Sequence, residues 1–186
     1  MSLTLENVSR SVDGVQHIAG ANITFKAGSF NVLLGRTLAG KTSLMRLMAG
    51  LDKPDTGRVL MDGRDVTNES VQRRNISMIY QQFINYPNLT VWENIASPLR
   101  LAKMKEPEIT RRVKETAAML QIEPLLQRFP SELSGGQQQR TAMARALVKD
   151  ASLILFDEPL VNLDYKLREE LRAELRELFK ERNCIA

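Results

Sequence analysis

The sequence predicts an α/β fold in which a mainly parallel sheet is joined to an N-terminal antiparallel β-subdomain and an inserted α-helical subdomain. Short alternating segments with turn signals fill the first 80 residues, as expected for strands. Helical periodicity dominates residues 91–128. Two largely apolar runs, residues 30–34 and 153–156, are typical of strands that are buried on both faces of a parallel sheet.

The N-terminal part is predicted to combine several strands with one helix. Strands are predicted over residues 4–8, 21–26, 30–34, 57–61 and 76–80. Residues 41–49 have a helical pattern, and Gly50 stands where a helix would stop.

The middle and the end of the chain are predicted to be mainly helical. Pro107 suits a first helical turn, and the apolar residues after it recur at helical spacing, namely Ile109, Val113, Ala117 and Leu120. Asp164 is a suitable N-cap for a last helix whose apolar face is formed by Leu167, Leu171, Leu175 and Leu178. We place the core at residues 1–85 and 150–186 and the helical subdomain at residues 86–149, within one domain.

Composition limits the classes of protein to consider. With 43% hydrophobic and 26% charged residues, the chain can bury a core without disulfides. Its net charge of +4 fits either a solvated basic surface, which we favour, or attraction to anionic membranes and phosphates. One cysteine and one histidine exclude a Cys/His zinc site. The sequence shows no signal peptide and no apolar run of about 18 residues, so another chain would have to cross any membrane.

A glycine-containing loop between a predicted strand and helix matches the spacing G-x-x-x-x-G-K-[ST]. Its residues are Gly35, Arg36, Thr37, Leu38, Ala39, Gly40, Lys41 and Thr42, and Ser43 follows in the helix. Such a loop wraps its backbone N–H groups around phosphate oxygens at a helix N-terminus. The pattern predicts a P-loop NTPase core that binds ATP and Mg²⁺, with Lys41 on the phosphates and Thr42 on the metal. The alternative is a chance glycine turn with a surface lysine.

Two carboxylates follow the apolar strand of residues 153–156. Asp157 is suited to hold Mg²⁺ through water, and Glu158 is suited to orient or deprotonate an attacking water. An acidic turn without chemical function is the alternative, but the phosphate-binding loop elsewhere in the chain argues against it.

A second phosphate-binding pattern lies in residues 133–140, with the letters LSGGQQQR. A hydroxyl and two glycines, from Ser134, Gly135 and Gly136, stand at a predicted helix start. Because one loop is enough for one triphosphate, this second pattern suggests a site that is completed by another chain.

These motifs and their order resemble the ATP-binding subunits of ABC transporters over nearly the whole chain. The order is the phosphate-binding loop, Gln81, residues 133–140, Asp157-Glu158-Pro159, and residues 161–164. The resemblance implies two ATPase domains that enclose two ATP molecules head to tail. The phosphate-binding loop of one domain would then face Ser134, Gly135, Gly136 and Gln137 of the other.

The resemblance also implies roles for two further residues. Gln81 would sense Mg²⁺ and the attacking water and connect to a transmembrane permease, and Asp164 would communicate across the dimer. Closure on ATP and opening after hydrolysis would drive the permease.

Residues 76–81, 86–95 and 157–164 resemble the carbohydrate or polyol importer branch, although polyamine and other importers share much of this pattern. This implies an ATPase on the cytoplasmic face of the membrane, with permease subunits, a second ATPase subunit and, indirectly, a substrate-binding protein as partners. Tyr86 and Trp92 could alternatively stack on nucleic acid, but the low aromatic content and the lack of a basic stripe favour packing or permease docking, with no nucleic acid partner.

The sequence departs from the family pattern at three places. Leu38 stands where the family usually has glycine, and its side chain would oppose a positive φ angle. Val12 stands near the position of an adenine-stacking aromatic residue, for which His17 is a weak substitute. The sequence ends at residue 186, whereas the family continues into a central strand with a switch histidine. We therefore expect a fragment of a longer chain, with a gap in the sheet and exposed apolar surface.

Two other functions are weighed against a transporter ATPase. One is a non-catalytic ABC subunit that binds ATP beside a second, active ATPase, as Leu38 and Val12 would suggest. The other is an ABC ATPase that acts on nucleic acid, for which the chain lacks the usual second ATPase half or long insertions.

Overall fold

The computed structural model describes residues 1–80, 84–158, 165, 168–169, 172 and 184–186. The chain divides into two compact units. The first unit comprises Met1–Ile76, Ser152–Asp157 and Glu169–Ala186, and the second comprises Ser77–Ala151 and Glu158–Arg168.

A four-stranded antiparallel sheet forms much of the first unit. Its strands are β1 (Ser2–Val12), β2 (Val15–Lys26), β3 (Thr56–Met61) and β4 (Arg64–Asp65), in the order β2-β1-β3-β4. The strands predicted at residues 4–8, 21–26 and 57–61 are confirmed, and the first two are longer than predicted. This sheet is the predicted antiparallel β-subdomain.

An irregularity at Asn7 interrupts the alternation of β1. Leu3, Leu5 and Val8 are all buried, although a regular strand would place Val8 on the face opposite Leu3 and Leu5. Asn7 has a φ of 50°, and the register of β1 shifts here against both neighbouring strands. The backbone of Gly57 lies so close that an added Cβ would come within 2.3 Å of the Asn7 carbonyl oxygen.

The helix predicted after the phosphate-binding loop is confirmed as α1 (Lys41–Ala49). Gly50 ends it at a φ of 75°, with its N–H bonded to carbonyls in the last turn. Arg74, only 3% exposed, donates hydrogen bonds to the carbonyls of Leu47 and Met48 and also to those of Val66 and Thr67. Its guanidinium therefore joins the end of α1 to the segment after β4.

The prediction of a strand at residues 30–34 is wrong, because these residues are described by the structure and form no strand. Phe30, Val32, Leu33 and Leu34 are 48%, 67%, 42% and 85% exposed. A strand requires a hydrogen-bonded neighbour, and among the described residues the last backbone hydrogen bond of this segment is donated by the N–H of Asn31 to the carbonyl of Ala186.

Residues 184–186 lie between two other segments of the first unit. On one side Ile185 forms a parallel bridge with Leu153, the first residue of strand β6 (Leu153–Phe156). On the other side the N–H of Ala186 donates to the carbonyl of Ser29. The strand predicted at residues 153–156 is thus confirmed, and its first residue pairs in the parallel sense.

Three α-helices longer than ten residues lie within residues 84–151 of the second unit. The helices are α2 (Val91–Leu101), α3 (Glu106–Met119) and α4 (Gly135–Leu147), and α2 packs against both of the others. Strand β5 (Ile76–Ile79) leads into this unit from the first and matches the prediction at residues 76–80. Pro107 lies in the first turn of α3, and the four apolar residues predicted to share a face, Ile109, Val113, Ala117 and Leu120, are at most 1% exposed. The helical subdomain follows from this periodicity.

Several sequence-based predictions lie outside the described residues. They are Gln81, the segment from Pro159 to Asp164, and the apolar positions Leu167, Leu171, Leu175 and Leu178 of the predicted last helix.

Candidate functional site

The phosphate-binding loop enters α1 through two residues in the left-handed region. Leu38 has a φ of 67°, and Gly40, the N-cap of α1, has a φ of 85° and provides no side-chain cap. The first N–H groups of α1 therefore lack a side-chain acceptor from the N-cap residue, an arrangement that favours an anion at a helix N-terminus. The Nζ of Lys41 folds back and donates to the carbonyls of Gly35, at 2.7 Å, and Arg36, at 3.3 Å.

Leu38 has a positive φ angle, although the sequence led us to expect that its side chain would oppose one. Its backbone is left-handed, which costs a non-glycine residue roughly 1–2 kcal/mol, and its side chain is 96% exposed. The backbone of the loop thus keeps a glycine-type conformation in spite of the leucine.

Asp157 meets the start of α1 at the end of β6. The Thr42 hydroxyl lies 3.0 Å from one oxygen of the Asp157 carboxylate and 3.2 Å from the other. A hydroxyl and a carboxylate oxygen are hard ligands of the kind that Mg²⁺ prefers, especially where substrate phosphates complete the coordination. Within the described ranges no group of three His, Cys, Asp or Glu side chains could hold a metal ion. Thr42 and Asp157 place two such oxygen ligands side by side.

Glu158 follows Asp157 directly and belongs to the second unit. Its side chain is exposed and its backbone is left-handed, with a φ of 50°. Strained backbone of this kind is common at functional turns.

His17 is close to the phosphate-binding loop, which sequence reasoning did not predict. Its Nδ1 lies 2.9 Å from the Ser43 hydroxyl. Its carbonyl oxygen is so close to Gly40 that a Cβ on that glycine would come within 2.5 Å of it. No local pattern could have revealed this contact, because β2 and α1 meet only in the folded chain.

The hairpin before His17 carries valines in place of an aromatic residue. Val12 and Val15 are register partners at the tip of the β1–β2 hairpin, and Val15 is 62% exposed. This apolar tip offers aliphatic contacts and no ring for stacking on a nucleobase.

Residues 133–140 contain the start of α4, as predicted. Ser134 is the N-cap, and its hydroxyl accepts a hydrogen bond from the N–H of Gln137. The side chain of Gln137 in turn accepts from the N–H of Ser134, which completes a capping box. A Cβ added to Gly135 would have no described atom within 4 Å. The packing described for this chain therefore does not require glycine at position 135.

Residues 84–86 are attached to α4 by three contacts. The guanidinium of Arg145 lies 4.6 Å from the centre of the Tyr86 ring and donates to the carbonyl of Ile84 at 2.6 Å. Asn85 donates to the carbonyl of Gln138 at 2.8 Å. Burial lowers the pKa of Arg145, but an arginine stays charged at neutral pH. Sequence reasoning did not identify Asn85 or Arg145, and only their contacts reveal their positions.

Comparison with known proteins gives consistent matches. A family model described as ABC transporter matches residues 18–161. A sulfate/thiosulfate import ATP-binding protein of Thermosynechococcus vestitus is 46% identical over 178 residues, which are 96% of this chain and 53% of that protein. An Fe(3+) ions import ATP-binding protein of Escherichia coli K12 is 42% identical over 95% of this chain and 51% of its own length. A spermidine/putrescine import ATP-binding protein of Thermotoga maritima is 43% identical over 95% of this chain and 48% of its own length.

The chain spans about half the length of these curated relatives. Among solved structures, an ATP-binding cassette crystallised as a dimer in a post-hydrolysis state with ADP and Pi has a TM-score of 0.86 at 31% identity. The match covers 98% of this chain and 85% of that one. The predicted P-loop NTPase fold is thereby confirmed. None of the helices in the described part of the chain is long and apolar enough to cross a membrane.

Proposed function

The chain belongs to the ABC transporter family, and from this membership we propose that it binds and hydrolyses ATP to energise a membrane importer. The observation that carries the proposal is the contact between Thr42 and Asp157 at the N-terminus of α1. It joins a phosphate-binding loop to the carboxylate expected to hold the metal of a nucleoside triphosphate.

The first unit supplies the groups for binding. Lys41 would exchange the loop carbonyls that its Nζ now contacts for the β- and γ-phosphate oxygens of ATP. Thr42 and Asp157 would hold Mg²⁺, which neutralises charge on the β- and γ-phosphates when bound. The backbone N–H groups of the loop would cradle the same oxygens.

Glu158 is the proposed general base. A carboxylate directly after the metal-binding Asp157 is suited to accept a proton from the water that attacks the γ-phosphate. We assign Gln81 to the positioning of that water and to contact with the permease, and Asp164 to communication across the dimer, on family resemblance.

We further propose that a second ATPase chain completes the site through the start of α4. Ser134, Gly135, Gly136 and Gln137 would face the nucleotide of the partner. Support comes from Gly135, because no described atom lies within 4 Å of a Cβ placed there, so an external group has room to approach the backbone closely. The similarity to a cassette solved as a dimer also supports this arrangement.

Permease subunits are the proposed membrane partners, and they would hold this chain at the cytoplasmic face of the membrane. Ile84 and Tyr86 are 60% and 48% exposed and offer an apolar contact surface. Arg145 of α4 contacts both residues, through the Ile84 carbonyl and the Tyr86 ring. The names of the relatives refer to sulfate, iron and polyamines, whereas the motifs resemble carbohydrate and polyol importers. We propose a sugar or polyol as cargo, delivered by a substrate-binding protein.

A second candidate function is a non-catalytic ATP-binding partner of a different ATPase. The exposed side chain of Leu38, which would crowd a nucleotide in the loop, and the aliphatic hairpin tip at Val12 favour it, because both would weaken nucleotide binding by this chain. In that case this chain would still provide the start of α4 to the active subunit.

The test replaces Glu158 in the purified full-length protein. Glu158→Gln keeps the shape of the side chain but removes its basicity, so we expect ATP binding to persist and hydrolysis to fall below detection. Glu123→Gln is the matched control, because Glu123 is an exposed carboxylate of the same unit. Unchanged turnover in Glu158→Gln contradicts the assigned base. A wild-type homodimer that binds ATP without hydrolysing it supports the second candidate.

A further inference from the structure

His17 contacts the first turn of α1 in two ways. Its carbonyl oxygen lies against Gly40, where a Cβ would come within 2.5 Å, and its Nδ1 lies 2.9 Å from the Ser43 hydroxyl. The backbone contact fixes the position of β2 beside the loop. The side-chain contact adds a hydrogen bond to a hydroxyl in the turn that is expected to bind phosphate.

The Ser43 hydroxyl is the second hydroxyl in this turn. Thr42 already donates to Asp157, so Ser43 is the hydroxyl of the two that is not committed to the metal-binding carboxylate. Ser43 has one hydrogen to donate. If that hydrogen goes to the Nδ1 of His17, none is left for a phosphate oxygen.

The tautomer of His17 decides which way this hydrogen bond runs. With the ring hydrogen on Nε2, Nδ1 accepts from Ser43. With a hydrogen on Nδ1, the ring donates to the Ser43 oxygen and leaves the hydroxyl hydrogen for another acceptor. A phosphate oxygen at the N-terminus of α1 would be such an acceptor.

We propose that His17 is a positioning residue that makes Ser43 a phosphate donor. Nucleotide binding selects the form of the ring that carries hydrogen on Nδ1, so that Nδ1 donates to Ser43 and Ser43 donates to a phosphate oxygen of the nucleotide. This inference rests on the proposed binding of nucleotide phosphates at α1, and it adds a residue outside the phosphate-binding loop to that site.

A purely structural role for His17 predicts something different. The contact between the His17 carbonyl and Gly40 would be enough to hold β2 against α1, and the ring would keep one tautomer with and without nucleotide. The two roles therefore differ in how the ring responds to nucleotide.

The decisive experiment is ¹⁵N NMR of the histidine ring in the full-length protein. MgADP is the probe, because it has no γ-phosphate and is not hydrolysed during the measurement. The ring signal of His17 is identified by its loss in His17→Asn. We expect MgADP to move Nδ1 to the shift of a hydrogen-bearing nitrogen in the wild type but not in Ser43→Ala. An unchanged ring, or the same change in Ser43→Ala, overturns the proposal.

Backbone amide signals separate this result from a failure of the proposed function. If MgADP shifts the amides of Gly40 and Thr42, the site binds nucleotide and the ring signal alone judges His17. If those amides do not respond, the proposed nucleotide site is wrong and the inference falls with it.

Affinity measurements give an independent readout. His17→Val and Ser43→Ala should each weaken MgADP binding about fivefold, as expected for one hydrogen bond. The double variant should be no weaker than either single one, because both remove the same interaction. His17→Asn, whose amide can also donate to Ser43, should stay within about twofold of the wild type. Additive losses in the double variant contradict the proposal.

Discussion

Replacing Gly135 by alanine separates folding from nucleotide contact at the start of α4. The packing described for this chain leaves an added Cβ with nothing within 4 Å, and the residue is the first of a helix. Alanine is the better helix former, so we expect no loss of stability. In the proposed composite site, however, the methyl group would lie between the helix start and the nucleotide of the partner chain.

The expected loss of activity can be estimated from one charge-assisted hydrogen bond. Such a bond contributes roughly 1.5–3 kcal/mol, so ATP turnover should fall roughly 10- to 150-fold. The assay is ATP hydrolysis by the full-length protein, with urea unfolding of the same preparation. Turnover within twofold of the wild type, or a clear loss of stability, refutes the reasoning.

Gly57→Ala is the matched control. Here the added Cβ would come within 2.3 Å of the Asn7 carbonyl, and the φ of Gly57 is 81°. We expect a loss of roughly 2 kcal/mol or more in unfolding free energy, with activity falling only as the protein unfolds. Gly135→Ala should therefore lose turnover and keep its stability. Gly57→Ala should lose stability, and its folded fraction should keep its turnover.

Three further changes test other parts of the structure. Leu38→Gly removes the strain of a left-handed leucine, so the unfolding free energy should rise by roughly 1 kcal/mol in urea titration; a fall contradicts this. Arg74→Met removes the buried guanidinium at the end of α1 and should lower the unfolding free energy by roughly 3 kcal/mol in urea titration. A loss of less than about 1 kcal/mol would show that these hydrogen bonds contribute little. Hydrogen bonds from Arg111 and Arg112 lower the pKa of Glu108 from 4.5 to about 2. The lowered pKa of Glu108 stabilises the fold above pH 4.5, and this contribution is lost as the pH falls from 4.5 to about 2. The difference in unfolding free energy between the wild type and Glu108→Gln should therefore shrink over this pH range, and a constant difference refutes the prediction.

Local patterns were enough to predict α1 and the buried face of α3. Residues 41–49 form α1 with Gly50 as its stop, because a loop glycine and a C-terminal glycine set both ends within the sequence itself. Burial of Ile109 and Val113 likewise follows from helical spacing. The family motif marked Leu38 as a position where glycine is usual, but it did not reveal that the leucine keeps a left-handed backbone.

Contacts between distant residues account for what the sequence did not reveal. Residues 30–34 are apolar, as in a buried strand, but a strand depends on a neighbour that a local pattern cannot supply. The proximity of His17 to Ser43 depends on how β2 lies against α1. Similarly, the attachment of Ile84 to Arg145 joins residues 61 positions apart in the sequence.

The central claim is that this chain powers a membrane importer. It is tested most directly by purifying the tagged full-length protein from mild detergent and identifying by mass spectrometry the proteins bound to it in stoichiometric amounts. We expect membrane-spanning permease subunits together with a second ATPase chain, which is either another copy or a different subunit. Recovery of only soluble or nucleic-acid-associated partners would contradict it.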